Sequence, residues 1–174
     1  MTLINSSSMT EAEAAFDPIR FRDTLGHYAS GVTVVTTELD GMPVGFTCQS
    51  FYSVSLEPPL VSFSVMKTST SYPAIRQSGK FTVNVLAQHQ SGLSGQFAKR
   101  GDDKWAGVLW SETRQSNPVL DGCLMWIDCQ LEQEIEAGDH YIVVGRVVQL
   151  SEPESLGNEP LLFFKGRYRQ LADE

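Results

Sequence analysis

Between residues 31 and 39 the chain runs through Val32, Thr33, Val34, Val35, Thr36 and Thr37, a density of β-branched side chains that suits a strand far better than a helix. Asp40-Gly41 follows, a dipeptide that tolerates the positive φ angles of a tight hairpin, and residues 43–48 return as a second strand. From Leu60 to Met66 the pattern alternates, with Val61, Phe63 and Val65 on one face and Ser62 and Ser64 on the other, as in a half-buried strand entered through Pro58-Pro59. Thr70 or Ser71 can cap a short helix that carries Pro73 in its first turn and stops at Gly79. Strand character resumes over residues 81–86. A second helix spans about residues 89–98, with Leu93 and Phe97 four apart on one face and Gly92 and Gly95 weakening it. Further strands are expected over residues 124–134, 141–150 and 161–164, the first two joined by a turn through Gly138-Asp139.

Strands that do not alternate with long helices argue against a doubly wound parallel sheet and for a closed or partly closed antiparallel barrel. No repeat or linker divides the chain, and 174 residues with 41% hydrophobic content suffice for one core without disulfides or metal. A single domain over residues 18–171 is expected, preceded by a disordered tail over residues 1–17 whose Ser and Glu content has neither a basic stretch nor an apolar run.

A net charge of −8, with scattered basic residues, excludes a nucleic-acid surface. Cys48, Cys123 and Cys129 form no C-x-x-C and no zinc-ligand spacing, so they read as reduced thiols of a cytoplasmic protein with no metal site. No apolar run has the length of a membrane span, and the Asn5-Ser6-Ser7 sequon carries no meaning in that compartment.

The sharper nucleotide and hydrolase motifs are missing: no G-x-G-x-x-G, no phosphate loop, no H-E-x-x-H and no G-x-S-x-G occurs. What remains is a run of small hydroxyl and amide side chains, Thr47-Cys48-Gln49-Ser50-Phe51, followed by Ser53-Val54-Ser55-Leu56-Glu57-Pro58-Pro59-Leu60-Val61. Such a strand end can be ordinary turn chemistry, or it can offer N–H and hydroxyl groups to the polar edge of a planar heterocycle.

These blocks, with Gly31-Val32-Thr33-Val34-Val35-Thr36-Thr37 before them and Phe81-Thr82-Val83-Asn84-Val85-Leu86, Gly138-Asp139-His140 and Gly166-Arg167-Tyr168 after them, give the chain a resemblance. Over residues 21–168 it resembles the flavin reductases that supply reduced flavin to two-component monooxygenases, above all those serving aromatic and steroid-ring hydroxylases. The resemblance implies a Greek-key split β-barrel, a homodimer with flavin near the subunit interface, and reduction of free FMN or FAD by NADH for a partner monooxygenase. It implies that Thr47, Cys48, Gln49 and Ser50 meet the flavin ring and ribityl chain, partly through backbone groups, with Asn84 on the adjoining strand. Lys67, Ser69 and Ser71 would approach the flavin phosphate, where a helix start near Ser71 offers N–H groups to an anion or is simply an N-cap. Phe97 and Arg100 would stack on and pair with ribityl phosphate or an adenylate, or serve as core and solvated surface. His140 would hold the nicotinamide rather than act as a base, since hydride transfer depends on alignment. His27, His89, Trp105, Trp110 and Trp126 read as structural. Two other readings stay open: a flavin-retaining split-barrel oxidase of the pyridoxamine phosphate oxidase kind, and a non-catalytic flavin-binding module.

Overall fold

Asp17 accepts a hydrogen bond from the Ile19 N–H (2.9 Å), with Pro18 in the first helical position, so that helix α1 (Pro18–Leu25) is fixed by its cap. The computed structural model describes residues 17–101, 103–152 and 159–171, and the tail expected over residues 1–17 lies, Asp17 apart, outside them. Helix α1 was not foreseen, because Ile19, Phe21 and Leu25 stay exposed and produce no buried stripe.

Among the described residues the rest is twelve strands, two α-helices and one 3-10 turn, in the order β1 (Ser30–Gly31), β2 (Thr33–Leu39), β3 (Met42–Cys48), β4 (Tyr52–Leu56), β5 (Pro59–Met66), α2 (Tyr72–Ser78), β6 (Lys80–Val85), the 3-10 turn (Gln88–Gln90), α3 (Ser91–Ala98), β7 (Trp110–Glu112), β8 (Pro118–Leu120), β9 (Met125–Ala137), β10 (His140–Leu150), β11 (Leu162–Phe164) and β12 (Arg167–Arg169). Asp40 and Gly41, at φ 53° and 78°, make the expected β2–β3 turn. The β9–β10 turn is as tight: Ala137 pairs with His140 across Gly138, at φ 60°, and Asp139.

Seven antiparallel strands form one sheet in the order β3-β2-β6-β9-β10-β5-β4. It curls around a core in which Phe63 meets Phe46, Tyr72 and Phe81 edge-on at centroid distances of 5.9, 6.4 and 5.2 Å. Closure is incomplete, the mainly-β split barrel anticipated from the sequence. Where β3 has ended and β4 has not begun, Ser50 Oγ accepts from the Ser64 N–H (2.8 Å) and donates to the Ser64 carbonyl (3.0 Å). One side chain thus replaces a ladder pair across the split.

Strand β2 is buried on both faces, which is why its β-branched run lacks polar alternation. Val35 enters the barrel core, while Val32 and Val34 face a second cluster with Leu86, Phe97, Leu120 and Leu161. Helix α3 packs there through Leu93 and Phe97, as its spacing predicted. The serine face of β5 is less open than its alternation suggested, for Ser62 is buried between β4 and β10. Among the described residues Cys48, Cys123 and Cys129 form no disulfide. Among the described residues no helix is long and apolar enough to cross a membrane.

Candidate functional site

The split in the barrel opens into a groove of about 460 Å³. One wall is the end of β3 and the loop after it, lined by Phe46, Thr47, Cys48, Gln49 and Ser50. Most side-chain polarity of this wall is already spent. Thr47 Oγ1 donates to the Ser94 carbonyl of α3 (2.6 Å), Ser50 ties down β5, and burial pushes the Cys48 thiol up against the opposing effect of its contacts with Ser50 and Thr33. Residues 49 and 50 lie beyond the last ladder pair, Thr33 with Cys48. What this wall leaves open to the groove is the exposed Gln49 amide, since the Ser50 backbone lies against the Cys48 thiol.

The far end of the groove is cationic. Ser69, Thr70 and Ser71 line it from the start of α2, and Lys99, Arg100 and Lys104 from the end of α3 and beyond. Ser71 does not cap α2: its hydroxyl donates to the Gly45 carbonyl (3.1 Å), while Ser69 Oγ accepts from the Tyr72 N–H (3.2 Å). Lys104 Nζ donates to the same Gly45 carbonyl (3.3 Å) and to Ser71 Oγ (3.4 Å), and its partial burial lowers its pKa. Gly45 is required here, because a Cβ would stand 2.8 Å from Cε1 of the fully buried Phe97. With only seven residues in α2, the attraction for an anion comes chiefly from the three cations and the hydroxyls between them.

His140 enters the lining as the first residue of β10, paired across the ladder with Met66. Its Nδ1 lies 2.7 Å from Asp139 Oδ1, and that contact holds the Asp139 carboxyl below its usual range. A second concavity, about 710 Å³, shares Gln49 with the groove and is lined by Arg22, Asp23, His27, Tyr28, Phe163 and Lys165 among others. The Lys165 N–H donates to the Gly26 carbonyl (2.8 Å), fastening the β11–β12 hairpin to the end of α1 and forming this pocket.

Of the residues singled out in the sequence, Thr47, Cys48, Gln49, Ser50, Ser69, Ser71, Phe97, Arg100 and His140 are brought together around the groove. Two are not. Lys67 turns to Glu136 (Nζ to Oε2, 2.9 Å) and lies over the Tyr141 ring. Asn84 is fully buried, its amide donating to the Val34 carbonyl (3.2 Å) and Thr36 Oγ1 (3.0 Å) and accepting from the Leu120 N–H (2.9 Å). It is spent on holding β2, β6 and β8 together. Lys104, which sits in no quoted block, lines the groove as well, and His27, read as structural, packs edge-on against Phe164 at the second concavity with its Nδ1 3.0 Å from the Asp23 carbonyl oxygen.

Residues 25–172 match the family described as flavin reductase like domain. The chain is 50% identical over 163 residues to the reductase subunit HsaB of a flavin-dependent monooxygenase from Rhodococcus jostii, covering 94% of this chain and 83% of that protein. It is 40% identical over 151 residues to an NADH:FMN oxidoreductase from Rhodococcus erythropolis, covering 85% and 79%. The crystal structure of a nitrilotriacetate monooxygenase component B homologue from Mycobacterium thermoresistibile superposes with a TM-score of 0.86 at 44% identity, over 88% of this chain and 86% of that one.

Proposed function

The chain belongs to the flavin reductase-like family, and from that premise we propose that the groove in the barrel split holds the flavin while the concavity beyond Gln49 takes part of the reductant. The protein is an NADH-dependent flavin reductase of the kind that supplies reduced flavin to a monooxygenase. The observation that carries the site assignment is the polarity of the groove. The exposed Gln49 amide, past the β3 ladder, stands at one end, and Lys99, Arg100 and Lys104 surround serine and threonine hydroxyls at the other. A planar ring with hydrogen-bonding edges and a phosphate-bearing chain fits that sequence of surfaces.

When both are bound, the dinucleotide supplies a hydride and the flavin accepts it. The chain's own residues align the two and meet the charge that develops. The exposed Gln49 amide would meet the polar edge of the ring, where negative charge grows. His140, oriented by Asp139, holds the nicotinamide end. Arg22 and Lys165 give the second concavity the charge to receive the phosphates of the dinucleotide, and Tyr28, exposed there, offers a face for its base. FMN and FAD share the ring and first phosphate that this groove addresses, so either is a substrate. We also infer a homodimer. The edge strand β4 leaves Tyr52, Val54 and Leu56 52%, 47% and 91% exposed, and Met66 and Ile135 continue exposed apolar surface on nearby strands.

The test is oxidation of NADH followed at its own absorbance, with and without added flavin, alongside titration of FMN, FAD and riboflavin. Turnover should depend on added flavin, and FMN should bind tighter than riboflavin by the contribution of its phosphate. Turnover without flavin dependence, or equal affinity for riboflavin and FMN, would overturn the assignment. Sedimentation at micromolar concentration as a monomer would overturn the dimer.

A further inference from the structure

Lys67 was expected at the flavin phosphate, yet all the contacts described for it reach the β9–β10 hairpin. Its backbone N–H donates to the Asp139 carbonyl (2.9 Å), extending the β5–β10 ladder one residue beyond Met66. Its ammonium donates to Glu136 Oε2 (2.9 Å), on the other arm of the hairpin, and lies 5.5 Å from the centroid of the Tyr141 ring. One residue therefore touches positions 136, 139 and 141 and so brackets His140.

The bracket matters because the imidazole itself meets little packing, although the His140 backbone is paired with Ala137 and Met66 and Tyr141 also lies against Tyr72 and Arg76. The turn holds only Gly138 and Asp139, and the Asp139 and His140 side chains are 84% and 40% exposed. With so little packing around the imidazole, its direction follows from the backbone of the turn and from the 2.7 Å contact with Asp139. We infer that Lys67 is a positioning residue for the reductant: by clamping Glu136 and Asp139 it fixes the turn that aims His140 into the groove. This rests on the proposed placement of His140 on the nicotinamide side.

An exposed ion pair that merely decorates the surface contributes little to stability, and its loss leaves kinetics alone. A positioning role has a different signature, since a drift of about an ångström in an aligned pair slows a reaction by as much as about a hundredfold. Here the backbone bond from Lys67 survives any side-chain change, so the expected effect is smaller. Lys67→Met should raise the KM for NADH by about three- to tenfold and slow single-turnover flavin reduction, with flavin affinity and Tm close to those of the wild type. Glu136→Ala, which removes the same contact from the other side, should behave alike, and Lys67→Arg should restore the wild-type KM by offering Glu136 a cation again. In a His140→Ala background, Lys67→Met should add nothing, because a residue acting through His140 has no effect once His140 is gone.

Each outcome separates the two ideas. Impairment by His140→Ala with wild-type kinetics in Lys67→Met overturns the role of Lys67 and leaves that of His140 standing. Additive losses in the double variant overturn it too. A silent His140→Ala removes His140 from the nicotinamide side, and the proposal for Lys67 falls with it.

Discussion

Replacing Lys104 by Met should separate phosphate recognition from ring recognition. Lys104 reaches the groove between the Gly45 carbonyl and Ser71 Oγ at 3.3 and 3.4 Å, both longer than a good charged hydrogen bond. Its charge is thus only weakly engaged by these partners and can turn toward an anion. A hydrogen bond to a charged group contributes about 1.5–3 kcal/mol, so the variant should bind FMN roughly tenfold to a hundredfold more weakly. Riboflavin, without the phosphate, should bind both proteins alike. Stability should not suffer. Burial lowers the pKa of Lys104, so between that lowered value and the ordinary lysine value the unfolded chain holds more protons than the folded one, and stability rises with pH across this window. Below it, at neutral pH, the buried charge is a cost that methionine removes, and the Gly45 carbonyl keeps its bond from Ser71 (3.1 Å). Fluorescence titration with FMN and with riboflavin, together with thermal melts at pH 7 and pH 10, measures every part. Equal loss of affinity for the two flavins would refute the reasoning, as would a fall in Tm at pH 7.

His140→Ala should raise the KM for NADH and slow hydride transfer while leaving flavin affinity nearly intact, read by single-turnover reduction beside a flavin titration; a loss of flavin affinity with a lowered Tm would make the residue structural instead. Ser50→Ala should strip the Ser64 N–H and carbonyl of the partner that spans the barrel split, lowering stability by about 1–3 kcal/mol in urea unfolding and weakening flavin binding in parallel. Gly145→Ala should be the most damaging of these changes, because the new Cβ would stand 2.3 Å from Cζ of the fully buried Phe81 and 3.1 Å from Cβ of Cys129. A loss of about 3 kcal/mol or more is expected, a drop in Tm of roughly 6–12 °C for a domain of this size, and an unchanged melting curve would contradict the packing described for β10.

The elements legible in the sequence are those whose causes are local. Asp40-Gly41 and Gly138-Asp139 announce their turns because a positive φ is needed within two residues, and Val61, Phe63 and Val65 announce β5 because one face meets the barrel core. Helix α1 is silent, since its apolar residues stay exposed and form no buried stripe, and the β7–β8 hairpin is silent because three-residue strands carry no period. The groove divides along the same line. Residues 47–50 and Gly138-Asp139-His140 stand in contiguous blocks, so a block that resembles a family carries its position with it. Lys104 belongs to the site only because the fold sets it against Gly45, 59 residues earlier in the chain, and Lys67 leaves it because Glu136, 69 residues later, comes to face it. Asn84 shows the converse. It stands inside a family-like block, yet both ends of its amide serve the barrel, so a residue that reads as part of the site can serve the fold instead. A residue type and a neighbourhood in sequence therefore nominate a ligand contact. The direction of the side chain at a strand end decides it, and that direction is set by whichever partner the sheet order brings within reach.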